Sequence, residues 1–265
     1  MKKEINFYSH RLQNDGFVHV DSLFKSSELN EVIKAIKDNM DSPSPFGKTM
    51  KSDKGGEFFM DFNNWKRLES IKNVCFNAKI VDLVTSLTNS NKCWLFHDHV
   101  LVKSGAALST PIHHDRPYYI FKGDLNVSVW ITCDDVSRDS SLVFYKNSHK
   151  SKKLFIPRSF GSGKALSEEA VEGFEMIDDD SFKEYEVCDF EMKAGDAIVF
   201  FHNTVHKSKE HHSQSTRRAL SVRYLLDGAK MTKKYINATP PFDRMGVDVK
   251  EDAPIPEKYF PLLKG

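Results

Sequence analysis

The chain has 265 residues, with 38 Lys and Arg against 37 Asp and Glu and a formal net charge of +1. So even a balance excludes nucleic-acid binding through a broadly basic face. A content of 40% hydrophobic and 12% aromatic residues excludes an intrinsically disordered chain. No run is long and apolar enough to span a bilayer as a helix. The opening MKKEINFYSH lacks the apolar segment of a secretory signal. Cys75, Cys93, Cys133 and Cys188 form no CxxC pair, so reduced thiols and a cytoplasmic protein are expected. The length suits one domain over 1–265.

In chain order, Asn14-Asp15-Gly16 reads as a turn, followed by a short strand through Phe17, Val18 and Val20. Ser26-Ser27-Glu28 is a helix start, with Ser as the expected cap. Leu29, Val32, Ile33 and Ile36 then form one apolar helical face. Residues 43–64 are rich in Pro, Gly, Lys, Asp and Asn and read as a long lid or binding loop. Ile80–Leu87 is a second short helix. Residues 1–92 are thus expected to be mostly helical. From Cys93 the pattern becomes β: Cys93–Val102, Asn126–Thr132, Leu142–Tyr145, Ala197–His202 and Ala219–Leu225, with turns at Ser104-Gly105, Lys122-Gly123-Asp124 and Gly195-Asp196. Regular strands over 93–228 point to a sandwich or barrel. Gly161–Asp180 reads as a polar excursion, and the proline-rich 229–265 tail as irregular surface chain.

Chemistry concentrates in Thr110-Pro111-Ile112-His113-His114-Asp115-Arg116-Pro117-Tyr118-Tyr119. Side chains alternate along a strand, so His113 and Asp115 share a face and His114 takes the other. An imidazole beside a carboxylate offers two metal ligands. The third comes from Phe201-His202-Asn203-Thr204-Val205-His206, as His206 or its rival His202. Two His and one carboxylate leave open positions suited to non-haem Fe(II). Arg217 follows eleven residues after His206, across a hairpin-like loop holding His211 and His212. A guanidinium there suits bidentate capture of a carboxylate. Iron with an arginine-held carboxylate is what 2-oxoglutarate requires.

The motifs resemble those of the phytanoyl-CoA dioxygenase family of Fe(II)/2-oxoglutarate oxygenases. The likeness runs from Asp15-Gly16-Phe17-Val18-His19-Val20 through Thr110–Tyr119 to Arg217-Arg218-Ala219-Leu220-Ser221-Val222-Arg223-Tyr224. Trp130-Ile131, Asp134-Asp135-Val136, Ser140-Ser141-Leu142 and Asn147-Ser148-His149-Lys150 extend it. The chain departs from the family at Ser140-Ser141, at Lys146-Asn147, at Lys207 where Gly is common, and at His114 where Gln is common.

The resemblance implies a mainly β fold with flanking helices, a double-stranded β-helix or cupin-like jelly-roll barrel. It implies His113, Asp115 and His206 as Fe(II) ligands, favouring His206 over His202, and Arg217 as the 2-oxoglutarate anchor. Ser208, Tyr118 and Trp130 match positions beside the co-substrate. O2 is the second co-substrate, and oxidative decarboxylation to succinate and CO2 is coupled to hydroxylation of a small molecule. Halogenating relatives replace the carboxylate ligand by a small residue, so Asp115 argues against halogenation. The alternatives are a non-catalytic cupin-like ligand sensor and a cupin enzyme that does not use 2-oxoglutarate.

Other residues carry weaker signals. His97 and His99 share a strand face and either border the pocket or form a second metal site. Lys103 is either a contact for an anionic group, of 2-oxoglutarate or of the substrate, or a solvated lysine, and Arg223 is a second pocket cation or a surface residue. In the 43–64 segment and just after it, Phe58, Phe59, Phe62 and Trp65 are candidate apolar walls. Lys48, Lys51, Lys54 and Arg67 are candidate contacts for an anionic substrate. No nucleic-acid or membrane partner is expected, and the oligomeric state stays open.

Overall fold

A computed structural model describes residues 2–177, 180–211 and 215–265. The chain begins α1 (Lys2–Asp15), β1 (Phe17–Val20), α2 (Ser26–Asp41), β2 (Lys48–Lys51), β3 (Glu57–Phe62), α3 (Glu69–Cys75) and α4 (Ala78–Thr88). It continues β4 (Cys93–Ser104), β5 (Thr110–His113), β6 (Phe121–Lys122), β7 (Val127–Thr132), β8 (Leu142–Tyr145), β9 (Leu154–Phe155) and β10 (Phe174–Glu175). The last strands are β11 (Val187–Asp189), β12 (Ala197–Phe201), β13 (His206–Ser208), β14 (Arg217–Leu226), β15 (Lys230–Met231) and β16 (Leu262–Lys264). The large sheet has the order β1-β12-β7-β14-β4-β3-β2, with β16 also on β4; the small sheet has the order β11-β8-β13-β5. Together they form the expected jelly-roll barrel. No helix among the described residues is long and apolar enough to cross a membrane.

Period-two alternation gives the large sheet two different faces. Val127, Val129 and Ile131 of β7, and Leu220, Val222 and Tyr224 of β14, join the main core. There they meet Leu29, Val32, Ala35 and Ile36, the buried stripe of α2. Burying each such aliphatic side chain contributes about 1.5–3 kcal/mol. The intervening residues face the small sheet, where Trp130 and Ala219 pack with Leu142 and Phe144. The helices cover only one face, and the other is free to line a cavity.

One irregularity resets this alternation in β4. Arg223 pairs with His97 but Tyr224 pairs with Leu95, leaving Phe96 as an extra residue in a β-bulge. Leu95 packs with the helix-side core, whereas His97, His99 and Leu101 line the cavity. Phe96 joins a separate cluster with Phe121, Phe242 and Phe260.

Several expectations need correction. The 43–64 segment is not a loop: its β2–β3 hairpin extends the large sheet, because the long strand β4 offers an edge that β3 pairs along. The cap of α2 is Lys25, whose backbone N–H donates to the Glu28 carboxylate at 2.9 Å, and Ser26 already lies in the helix. The tail is not merely surface chain: Phe242 and Phe260 are buried and Asn237–Arg244 borders the cavity. The 161–180 excursion also reaches the cavity, through Gly161 and Leu166; Asp178 and Asp179 lie outside the described residues.

The Gly195-Asp196 turn holds the start of β12 to the end of β1. The Asp196 carboxylate accepts from the backbone N–H of Ser22 and Lys193, each at 2.8 Å, and Gly195 O accepts from Phe24 N–H at 3.0 Å. Gly195 has φ +96°, and a Cβ there would overlap Phe24 O. Gly195→Ala is therefore expected to cost on the order of 2 kcal/mol, read as a drop of several degrees in Tm. An unchanged Tm would contradict this account of the turn.

Candidate active site

β5 and β13 are neighbours in the small sheet, and His113 is the register partner of His206. Their rings lie 4.3 Å apart, centroid to centroid. Asp115 follows β5 at the entry to a short 3-10 turn, Arg116–Tyr118. One ligand atom from each of His113, Asp115 and His206 falls within 4.8 Å of the others, and all three residues are buried.

Local hydrogen bonds orient each candidate ligand. His113 Nδ1–H donates to Pro111 O at 2.8 Å, and His206 Nδ1–H donates to Thr204 O at 3.0 Å. Both Nε2 lone pairs are thereby left for a metal. Burial pushes the His113 imidazole down to about 3 and lowers His206 as well. Burial alone would raise the Asp115 carboxyl, but the charge of Arg223 holds it well below the usual carboxylate range. Ser128 Oγ–H donates to Asp115 Oδ2 at 2.9 Å, and Arg223 Nε stands 3.9 Å from the same oxygen. Two neutral imidazoles and one carboxylate match a divalent first-row metal such as Fe(II).

The triad opens into a cavity of about 510 Å³, a size suited to a small molecule. Phe46, Met50, Met60 and Phe62 wall one side, and Tyr118 and Phe160 another. Asp115 is the only carboxylate among the described lining residues, against Lys48, Arg158, Lys207, Arg223 and Arg244.

Two further cations lie deep in the fold. Lys103 is buried over the Phe58 ring, and its Nζ donates to Ser208 Oγ at 2.8 Å and Leu108 O at 2.6 Å. Arg217, its register partner, is 5% exposed and lies over the Trp130 ring at 5.8 Å, donating to Ser140 O. Burial lowers Arg217 to about 10 and puts Lys103 well below the ordinary lysine range. Among the described residues, no carboxylate lies within ion-pair distance of either.

The expected residues divide accordingly. Ser208, Tyr118 and Trp130 line the cavity with the triad. Lys103 meets the cavity through Ser208, and Arg217 stands behind Trp130 beside a smaller cavity shared with Ser140 and His211. His202 is buried against Tyr119, ring to ring at 5.0 Å, outside the triad and lowered to about 4 by burial. His114 turns away as expected: its Nε2 accepts from Phe155 N–H at 3.2 Å, and it does not line the cavity. His97 and His99 border the cavity, but they belong to neither cluster of potential metal ligands among the described residues. Arg223 is a pocket cation rather than a surface residue. His211 is buried, and His212 lies outside the described residues.

Of the lid candidates, Phe62 and Lys48 reach the cavity. Phe58 packs under Lys103, while Phe59 and Trp65 join the helix-side core. Lys51 pairs with Glu57, Lys54 with Glu210 and Arg67 with Asp61. Sequence reading missed Ser128, Tyr119 and Ser221, although alternation from Trp130 and Arg223 could have found the two serines. It also missed the Arg158–Gly161 and Asn237–Arg244 walls, which carry no periodic signal.

The sequence profile of phytanoyl-CoA dioxygenase (PhyH) matches residues 12–219. The chain belongs to the PhyH family. No curated protein sequence matches it. Among solved structures, the non-heme alpha ketoglutarate dependent epimerase SnoN from nogalamycin biosynthesis superposes with a TM-score of 0.78 at 19% identity, covering 100% of both chains. The carbocyclase SnoK from the same biosynthesis gives 0.75 at 15% identity, covering 97% of this chain and 95% of that one. EctD from S. alaskensis gives 0.66 at 14% identity, covering 87% and 79%. At these identities the likeness is one of fold; one SnoN structure is a complex with Fe3+, alpha ketoglutarate and nogalamycin RO.

The buried imidazoles of this PhyH-family chain also set its acid stability. His113 and His114 titrate near 3 and His202 near 4 in the folded chain, against about 6.5 unfolded. The unfolded chain therefore takes up protons below pH 6.5 that the folded chain refuses. Their contribution is complete above pH 6.5 and is lost as pH falls toward 4, at about 1.4 kcal/mol per pH unit per group. The urea midpoint of the metal-free chain should fall steadily from pH 6.5 to 4.5. A constant midpoint would contradict the burial of these rings.

Proposed function

We propose that this chain is an Fe(II)/2-oxoglutarate-dependent dioxygenase that hydroxylates a small molecule. The observation that carries this reading is the pairing of two unusual features in one barrel: a His-Asp-His triad, and two buried cations without acids. His113, Asp115 and His206 would hold the iron. Bound iron supplies the redox centre at which O2 and 2-oxoglutarate are consumed, giving succinate and CO2.

This chain's own residues do the rest. Pro111 O and Thr204 O keep the two imidazoles in the ligating tautomer. Ser128 and Arg223 hold the Asp115 carboxylate ionised and oriented. Ser208 on the cavity wall, with Lys103 bonded to it, supplies a hydrogen bond and charge to the far carboxylate of 2-oxoglutarate, and Arg217 adds its charge from behind Trp130. The aromatic and Met walls exclude water from the reacting carbon. Asp115 favours hydroxylation over halogenation. The charge of the lining favours a neutral or anionic substrate with an apolar body over a cationic one.

Succinate release tests the co-substrate site. Lys103→Met and Arg217→Met are each expected to raise the 2-oxoglutarate concentration for half-maximal release about tenfold or more, with the Fe(II) requirement little changed. An unaltered 2-oxoglutarate requirement in both variants would remove Lys103 and Arg217 from the co-substrate site, and no succinate release by the iron-loaded wild type would favour the cupin enzyme that does not use this co-substrate.

A further inference from the structure

Three polar atoms on one wall of the cavity have no partner among the described residues: His97 Nε2, His99 Nε2 and Ser221 Oγ. Their residues are 2%, 7% and 1% exposed, and all three line the cavity. His99 is the register partner of Ser221, and His97 that of Arg223. Cross-strand partners on one sheet face lie side by side, so the orphaned atoms form one patch. Arg223, 3.9 Å from Asp115, sets that patch beside the triad.

We propose that His97, His99 and Ser221 form a subsite that binds a hydroxyl group of the substrate next to the reacting carbon. The proposal rests on the oxygenase reading for what happens to that carbon, but not for the binding itself. The donor pattern selects the hydroxyl. His97 Nδ1–H is committed to Asp98 O at 3.0 Å, so its Nε2 is an acceptor that needs an O–H or N–H from the ligand. Arg223 repels an ammonium at this position, and a neutral amide N–H donates but cannot accept at the same atom, so a hydroxyl, which does both, is the group that matches His97 Nε2 and Ser221 Oγ together. Ser221 Oγ–H can in turn donate to the hydroxyl oxygen.

The fold supports the subsite in two ways. The Phe96 bulge aims His97 and His99 into the cavity, and bulges re-aim side chains at functional sites. On the same wall, Phe62 of β3, the register partner of His99, meets the His99 ring edge-on at 5.8 Å and stacks on Phe46 at 5.3 Å. The rest of the ligand therefore meets apolar surface. An apolar ligand that displaced water from this wall would strand three buried polar atoms, and a hydroxyl restores their bonds.

The test uses the full chain, metal-free and also loaded anaerobically with Fe(II) and 2-oxoglutarate. Binding of 2-naphthol, 2-methylnaphthalene and 2-methoxynaphthalene is titrated by saturation-transfer NMR. The first should bind about tenfold or more tighter than either of the others, which lack the donor. Ser221→Ala and His97→Phe should each reduce that ratio to within about twofold, while 2-methylnaphthalene binds as before. Equal binding by the wild type, a ratio that survives in both variants, or no binding of any probe overturns the subsite. Failure of the loaded chain to show the visible charge-transfer band of iron-bound 2-oxoglutarate would overturn the oxygenase reading instead. The ratio in the metal-free chain then still decides the subsite.

Discussion

His206 sits opposite His113 because β13 is inserted between β5 and β8 in the small sheet. The two residues are far apart in sequence, and only this pairing makes them neighbours. Asp115 joins them because β5 ends and the chain turns at that point. The remaining structure serves this juxtaposition. Phe144 stacks beneath His206 at 5.6 Å and Phe200 lies 4.7 Å from it, ring to ring, so the imidazole is held by aromatic packing as well as by Thr204 O. A ligand set held in this way is preorganised, with little freedom to lose when a metal binds.

The second constraint is the asymmetry of the large sheet. Helices α1 to α4 bury one face, and their core holds the barrel wall rigid. The opposite face is released from packing duty and carries Ser128, Trp130, Ser221 and Arg223 toward the cavity. Hydrophobic burial on one side thus makes room for costly polar burial on the other. The Arg223 contacts show how tightly that side is organised: its Nε donates to Tyr119 OH at 2.8 Å and its Nη1 to Ser221 O at 3.2 Å.

Much of this was legible in the residues. The longer strands between Cys93 and Leu225 were readable as short β-type runs set off by turn residues, and the H-x-D spacing picked out two residues that the structure brings together, although Asp115 lies past the end of β5 and not on it. The choice of His206 over His202 needed the family resemblance, since the spacing permits either. The β2–β3 hairpin was not legible: Lys48-Thr49-Met50-Lys51 is an exposed edge strand, made a strand by the neighbour it pairs with. Nor was the orientation of His97, because the bulge at Phe96 depends on its register with β14. The tail wall was hidden for a different reason: it packs as irregular chain, and its buried Phe242 and Phe260 follow no period.

The central claim is that His113, Asp115 and His206 bind iron in a barrel that also chelates 2-oxoglutarate. Anaerobic titration of the Fe(II)-loaded chain with 2-oxoglutarate tests it most directly, through the visible metal-to-ligand charge-transfer band that chelation produces. The account predicts a saturable band in the wild type that is lost in His113→Ala and in Asp115→Ala. Bound iron with no band, or a band unchanged in both variants, would contradict it.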